Sequence, residues 1–149
     1  MFYWIGIIAL ILIDQIVKII VDRNMFFGET IPLLSDFFHI TYVQNRGIAF
    51  GIFQGKINLI SVVTVIAIIG IIVYFIKNKK NSNSFENTAY AFIIAGAIGN
   101  MIDRLFRGYV VDMLDFRGIW NFVFNIADVY INIGVIILIL ELLLKRRKD

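Results

Sequence analysis

The chain has 149 residues, of which 60% are hydrophobic and 17% are charged, and its mean hydropathy is +0.84. A globular domain averages about half apolar and about a quarter charged, so this composition excludes an ordinary water-soluble domain. The net charge of +3 is small, and no basic run interleaved with aromatic residues indicates nucleic-acid binding. Cysteine is absent, which excludes disulfides, thiolate nucleophiles and Cys-ligated metals.

Four apolar stretches predict four membrane-spanning helices, because each is close to the ~20 residues that cross ~30 Å of hydrocarbon. They cover residues 2–21, 57–76, 88–105 and 126–144. In lipid a helix satisfies every backbone group internally, which overrides the strand preference of their many β-branched residues. We therefore expect an all-α membrane protein, with residues 1–149 as a single four-span domain. The first stretch has no basic leader, so we expect a retained span rather than a cleaved signal peptide.

Basic residues predict the orientation of these spans. One cluster follows the second span (Lys77, Lys79 and Lys80), and another follows the fourth (Lys145, Arg146, Arg147 and Lys148). The positive-inside rule assigns both clusters to the cytoplasm. We expect a multi-pass protein with both termini in the cytoplasm and with the segments near 22–56 and 106–125 outside.

The first outer segment predicts a small extracytoplasmic β-hairpin-like element over residues 37–53. Its first arm, Phe37–Val43, is rich in strand formers, and the turn signal Asn45-Arg46-Gly47 separates it from a second arm at Ile48–Phe53. The aromatic residues of this element indicate that it rests on the bilayer surface or covers a site there.

Ionisable residues inside membrane spans are costly and usually mark a site. Asp14 and Lys18 are four residues apart on one helix face. They are either a self-neutralising pair whose lysine reaches towards the surface, or part of an organised site. Asn100 and Arg104 share a face of the third span in the same way, with Asp103 beside them. Gly96 and Gly99 are typical of a close approach between two helices.

Two further carboxylates lie at the outer mouth of the fourth span. Asp128 begins that span, and Asp112 lies in the loop before it, where apolar neighbours would raise the pKa of a buried carboxyl. Two such groups close together would share one proton, so that one activates a water while the other polarises a carbonyl, as in aspartic proteases. Capping of a helix is the alternative role for either residue.

Other hydrolytic mechanisms fit the sequence poorly. A zinc peptidase lacks ligands, since His39 is the one histidine and HExxH is absent. His39 is better explained as a strand residue. A serine mechanism would require a Ser61/Lys18 dyad, for which the residues offer little support.

Taken in chain order, these segments resemble the lipoprotein signal peptidases, the type II signal peptidases of bacteria. The similar motifs are DQxxK at 14–18, NxGxAFG at 45–51, GAxGNxxDR at 96–104, VVD at 110–112 and FNxAD at 124–128. Five motifs in family order cover essentially the whole chain, and their conjunction is highly specific. Phe122, Ile48 and Met113 depart from the family's usual proline, alanine and phenylalanine, which concerns the shape of the loops rather than the reaction.

The resemblance implies an intramembrane aspartic endopeptidase that removes the signal peptide from prolipoproteins, cutting just before a cysteine that bears diacylglycerol. It assigns Asp112 and Asp128 to catalysis, and it assigns substrate-binding or supporting roles to Asp14, Lys18, Asn45, Gly47, Asn100, Asp103, Arg104 and Asn125. It implies a place in the bacterial cytoplasmic (inner) membrane with the active site near the outer face. The partners implied are diacylglyceryl-modified prolipoproteins, membrane lipids and the inhibitor globomycin, with no cofactor, metal or nucleic acid.

The main alternative is a small proton- or ion-coupled transporter with a polar relay through the bundle. Such a relay should continue to the cytoplasmic face, yet residues 57–73 contain little polar beyond Ser61 and Thr64, and Glu141 near the inner end is the one deep charge of the fourth span. A structural subunit held by glycine-mediated packing would leave the two outer carboxylates unexplained.

Overall fold

The fold is seen in a computed structural model that describes residues 2–47 and 57–146. The elements are α1 (Phe2–Asn24), β1 (Thr30–Leu34), β2 (Phe38–Asn45), α2 (Ile57–Asn78), α3 (Ser84–Phe106), β3 (Val110–Phe116) and α4 (Ile126–Arg146). All four helices are long and apolar enough to cross a membrane. The predicted fold class, an all-α membrane protein with a small β element, is confirmed.

Helix α3 starts earlier than the apolar stretch indicated, at Ser84 instead of residue 88. Asn83 caps it by accepting a hydrogen bond from the Glu86 backbone N–H at 2.9 Å, and the Glu86 carboxylate accepts from the Asn83 N–H in return. This capping box satisfies two backbone donors that the helix leaves free. The polar first turn was therefore part of the helix, although its hydropathy is low.

Helix α3 lies at the centre of the bundle and packs against the other three helices. Two of its glycines make that possible. A Cβ at Gly96 would clash with the carbonyl oxygen of Ala127 in α4, and one at Gly99 would lie 2.6 Å from a carboxylate oxygen of Asp14 in α1. The close helix approach predicted at these glycines is confirmed.

The half of the bundle that contains the two ends of the chain, called the inner half below as opposed to the outer half with the carboxylate pair, has an apolar buried core. Its buried cluster consists of Ile7, Phe75, Ala91, Ile94 and Ala95, from α1, α2 and α3. Large aliphatic side chains on the outward faces of α1, α2 and α4 are exposed in the isolated chain. A helix with an exposed apolar surface of this extent is suited to lipid rather than water.

The three strands form one antiparallel sheet in the order β1-β2-β3. Strand β2 falls where the first arm of the hairpin was predicted, but its partners are β1 and β3, which come from before and after it in the chain. The predicted second arm, Ile48–Phe53, lies outside the described residues. At the predicted turn, the Asn45 side chain accepts a hydrogen bond from the Gly47 N–H at 2.9 Å, an Asx turn at the end of β2.

Candidate active site

The first of the two predicted catalytic carboxylates, Asp112, lies in strand β3 and is 2% exposed. Two amides hold it. Asn125 Nδ2 donates to its Oδ1 at 2.6 Å, and Asn45 Nδ2 donates to its Oδ2 at 2.9 Å. The pairing of β2 with β3 brings Asn45 into reach, since Asn45 lies opposite Val110 and Val43 lies opposite Asp112.

The second carboxylate, Asp128, lies in the first turn of α4. Asn125, just before the helix, accepts a hydrogen bond from the Asp128 N–H at 3.0 Å, and Asp128 Oδ2 accepts from the Asn125 N–H at 3.3 Å. The capping role that the sequence left open is therefore real, and it occupies one carboxylate oxygen. The other oxygen, Oδ1, accepts from Asn100 Nδ2 at 2.7 Å. Capping and site chemistry are compatible in this residue.

Asn125 joins the two carboxylates, because its side chain caps Asp128 with the oxygen and donates to Asp112 with the nitrogen. Burial, and after it the nearby charge of Asp128, raise the pKa of Asp112 to about 7. Two carboxyl groups that interact in this way titrate as a pair. Near neutral pH the pair can therefore hold one proton and one negative charge.

Lys18 is the centre of a buried ion cluster behind this pair. Its Nζ lies 3.0 Å from both Asp14 Oδ2 and Asp103 Oδ2 and donates to Asn100 Oδ1 at 2.9 Å. The side chains of Asp14, Lys18 and Asp103 are all 0% exposed, so the lysine does not reach towards the membrane surface. Because the oxygen of Asn100 faces Lys18, its nitrogen is left to donate to Asp128.

Each carboxylate of this cluster also accepts a hydrogen bond from the backbone N–H of the residue before a predicted catalytic aspartate. Asp103 Oδ2 accepts from the N–H of Val111 at 3.1 Å, next to Asp112. Asp14 Oδ1 accepts from the N–H of Ala127 at 3.0 Å, next to Asp128. The cluster therefore links the backbone of β3, next to Asp112, to the backbone of α4, next to Asp128.

Three members of this network were missed from the sequence. Gln15 Nε2 donates to Asp14, to Asp103 and to the carbonyl of Gly99, and Arg107 pairs with both Asp103 and Asp22. Gln15 carried a signal, since it is a polar residue inside a span beside Asp14. Asp22 and Arg107 lie at helix ends, where charged residues are common, so hydropathy could not distinguish them from surface groups.

The carboxylates of Asp112 and Asp128 both line a cleft of about 1340 Å³. Asn45, Asn100, Arg104 and Asn125 line it with them, as do residues 119–124 and the α4 residues Ile131, Asn132 and Ile136. Arg104 Nη2 donates to the carbonyl of Gly47 at 3.5 Å, while its buried Nε has no hydrogen-bond partner among the described residues. The predicted residues thus form two groups: Asp14, Lys18 and Asp103 lie behind the cleft, and the others line it, except Gly47, which is bound to Arg104.

The competing hydrolytic mechanisms are weakened by these contacts. The Lys18 Nζ contacts the carboxylates of Asp14 and Asp103 and donates to Asn100, so its three N–H donors already have acceptors in the ion cluster, which leaves the Ser61/Lys18 dyad without support. His39 is a buried residue of β2, as expected. Asp115 accepts hydrogen bonds from Thr41 and Arg117 and takes no part in the contacts of Asp112.

The fold of four helices and a small sheet matches that of bacterial membrane enzymes. Two solved structures described in those words superpose on it: one with a TM-score of 0.92 and 34% identity, covering 99% of this chain and 90% of that one, the other with a TM-score of 0.86 and 36% identity, covering 95% and 92%. The model of the signal peptidase II family matches residues 6–144. The chain belongs to the signal peptidase II family, which makes it a protease.

Individual relatives agree with the family match. A lipoprotein signal peptidase of Fusobacterium nucleatum is 57% identical over 141 residues, 95% of this chain and 86% of the relative. Those of Halothermothrix orenii and Clostridioides difficile are 47% and 41% identical, covering 93% and 100% of this chain and 93% and 99% of the relatives. The resemblance found in the sequence motifs is confirmed, and the transporter alternative is not supported.

Proposed function

We propose that this protein is an aspartic endopeptidase that removes the signal peptide from prolipoproteins, cutting just before a diacylglyceryl-modified cysteine. Membership of the signal peptidase II family supports the substrate class. The observation that carries the catalytic type is Asn125, whose side chain is bonded to Asp112 and caps Asp128 at the mouth of one cleft. In this proposal the bridge keeps the two carboxylates near enough to each other to share a proton.

The reaction follows from that shared proton. The ionised carboxylate takes a proton from a water molecule, whose oxygen bonds to the scissile carbonyl carbon, while the protonated carboxyl gives its proton to the carbonyl oxygen. The C–N bond then breaks as the nitrogen receives the proton taken from water. A hydroxyl proton of the intermediate returns to the second carboxylate, so the pair regains its starting state. Asp112 and Asp128 are the two carboxyl groups.

The supporting residues have distinct proposed roles. Asn45, Asn100 and Asn125 hold the carboxylate oxygens in place, and Asp14, Lys18 and Asp103 hold the backbone beside them. Arg104 and Gly47 line or flank the mouth of the cleft, where the free Nε of Arg104 is available to a substrate carbonyl. Preorganised donors of this kind are effective where charge develops in a reaction.

The proposed setting is the bacterial cytoplasmic membrane, with both termini in the cytoplasm and the site at the outer face. The clustered lysines and arginines after α2 and α4 support this orientation. Membrane lipids surround the helices, and the scissile bond of a membrane-held precursor would meet Asp112 and Asp128 at the interface. Single cysteines introduced into this cysteine-free chain can test the proposed orientation. Labelling of a cysteine at position 82 by an impermeant reagent from outside would contradict it.

The direct test of the function is cleavage of a defined precursor. Purified protein is incubated with a diacylglyceryl-modified prolipoprotein and with the same precursor lacking the lipid, and the shortened product is measured. We expect cleavage of the modified precursor alone, and its inhibition by globomycin. Equal cleavage of both precursors would contradict the proposed substrate, and persistence of cleavage in Asp128→Asn would contradict the proposed catalytic type.

A further inference from the structure

The cleft continues below the two carboxylates into the membrane-spanning part of the bundle. Along α4 it is lined by Asp128, Asn132 and Ile136, which are four residues apart and therefore on one face of the helix. With a rise of about 1.5 Å per residue, Ile136 is about 15 Å along α4 from its outer end. Much of the cleft therefore lies at the depth of lipid chains.

Two polar side chains from two different helices line this deeper part. Asn132 is six residues beyond the start of α4 and Thr64 is seven residues beyond the start of α2, which is about 10 Å along each helix. Both line the cleft. Asn132 is exposed and Thr64 is half-buried, and neither side chain has a hydrogen-bond partner within the described part of the chain.

An amide without a partner at this depth is costly, because lipid offers no hydrogen bonds. A substrate has the complementary need. A signal peptide can cross lipid as a helix, but it must unwind where it is cut, and each unwound peptide group then requires a partner from the protein. The Asn132 side chain offers both a donor and an acceptor, and Thr64 offers a hydroxyl.

We infer that Asn132 and Thr64 form a substrate-binding subsite that hydrogen-bonds the unwound backbone of the signal peptide on the membrane side of the scissile bond. This inference rests on the proposed function and adds residues that the sequence motifs do not contain. Asn132 is about 6 Å below Asp128 along α4. Since an extended chain advances about 3.3 Å per residue, the peptide group bound by Asn132 is about two residues before the cleaved bond.

A second copy of this chain is the other partner that an exposed membrane asparagine could bind. The position of Asn132 favours the substrate, because it faces the cleft that contains Asp112 and Asp128. A helix from a second copy seated there would also block the carboxylates.

The test pairs enzyme variants with a modified substrate. Asn132→Leu and Thr64→Val remove the polar groups at nearly constant size, and the substrate is a diacylglyceryl-modified precursor peptide whose amide two residues before the cleaved bond is replaced by an ester. For Asn132→Leu we expect kcat/KM to fall about tenfold, the effect of one ordinary hydrogen bond, and for Thr64→Val somewhat less. The ester should cost the wild type a similar factor and Asn132→Leu much less, because the contact is already lost.

Matched controls come from the inner end of the bundle. The side chains of Asn78 and Thr88 bond only to backbone carbonyls of their own helices in the described structure, at 2.9 and 2.8 Å, so Asn78→Leu and Thr88→Val should retain wild-type turnover. Full turnover by Asn132→Leu, or equal losses from the ester in wild type and variant, would overturn the subsite. Loss of a dimer in Asn132→Leu, with the ester effect unchanged, would assign Asn132 to self-association. Absence of cleavage by the wild type itself would overturn the proposed function as well.

Discussion

The outer and inner halves of the bundle use the same helices in different ways. In the inner half, Ile7 of α1 and Ile94 of α3 meet in an apolar cluster. In the outer half, α1 and α3 meet through Asp14, Lys18 and Asp103, all fully buried. In the inner half these two helices are joined mainly by apolar packing, with a hydrogen bond between the hydroxyls of Tyr3 and Ser84 at 3.4 Å beside it. Buried ion pairs are weak evidence for stability, so the outer cluster is better explained by what it positions.

What it positions is the backbone on either side of the cleft. Asp14 and Asp103 each bind the N–H group before one of the two aspartates, and Lys18 binds both carboxylates together with Asn100. Strand β3 and helix α4 are otherwise joined by the loop of residues 117–125. We therefore infer that the outer cluster fixes the geometry of the site, whereas the inner cluster stabilises the fold. Substitutions in the two halves should separate these two roles.

The largest expected effect is at the carboxylates themselves. Asp112→Asn and Asp128→Asn keep the side-chain shape but cannot take a proton from water, so each should reduce precursor cleavage to background while the protein stays inserted and folded. The double variant should be scarcely worse than either single one, because the two residues act as a unit. Asp115→Asn is the control, since Asp115 is bonded to Thr41 and Arg117, and it should retain turnover. Substantial turnover by either single variant would exclude this mechanism.

Lys18→Met should have the next largest effect. It leaves two buried carboxylates without their counter-charge and frees the amide of Asn100, so we expect cleavage to fall about a hundredfold or more and thermal stability to fall too. Ile7→Val is the inner-half control, because it removes one buried methylene at a cost of about 1 kcal/mol and touches no part of the ion cluster. If Ile7→Val lost as much activity as Lys18→Met at equal stability, the cluster would have no positioning role.

The pH dependence should reflect the raised pKa of Asp112, about 7. The active pair holds one proton, so cleavage should decline by up to about tenfold per pH unit above the higher apparent pKa of the pair. The free energy of unfolding should also decrease as the pH rises. Because this pKa is raised above the ordinary value of 3.8, the buried neutral carboxyl stabilises the folded state at low pH, and that contribution is lost as the pH rises through about 7. A cleavage rate that stays flat from about pH 6 to about pH 9 would contradict the shared proton.

Arg104→Lys should have a smaller effect, about a tenfold loss of cleavage with normal protein levels. Lysine keeps the charge near Asp112 and Asp128 but lacks the planar set of donors that reaches both Gly47 and the cleft. Arg104→Ala should lose more. Wild-type cleavage by Arg104→Ala would remove this residue from the site.

The fold class could be predicted from the sequence, and so could the ionisable residues that the structure brings together at one end of the bundle. Spans follow from hydropathy, and a charged residue inside a span has few explanations, so Asp14, Lys18 and Asp103 were visible at once. The partners of β2 were not visible, because strand pairing depends on contacts between distant segments. Strand β1 contains Pro32 and lies at the edge of the sheet, where a missing N–H is tolerated.

The division of labour among the site residues could not be predicted either. The spacing indicated a pair between Asp14 and Lys18, but not that Asp14 would bind the N–H of Ala127 more than a hundred residues away. Asn132 was overlooked because a single amide in a span is usually interhelical glue. Only the cleft distinguishes it from such a residue, since the helix face that it shares with Asp128 turns out to be the one facing the opening.

The smallest effect should come from Glu141→Gln, the inner-half counterpart of the aspartate-to-asparagine changes. Glu141 accepts a hydrogen bond from Asn83 and lies 3.9 Å from Lys145, whose side chain is about half exposed. Partly exposed pairs of this kind contribute about 0–1 kcal/mol, so we expect cleavage within about twofold of wild type and a small change in the melting temperature. As in Asp128→Asn, a carboxylate on α4 is replaced by the amide of the same shape, but in the inner half of the bundle. A large loss of cleavage in Glu141→Gln at unchanged stability would mean that the inner face is coupled to the carboxylates, and the two halves could no longer be treated as separate in function.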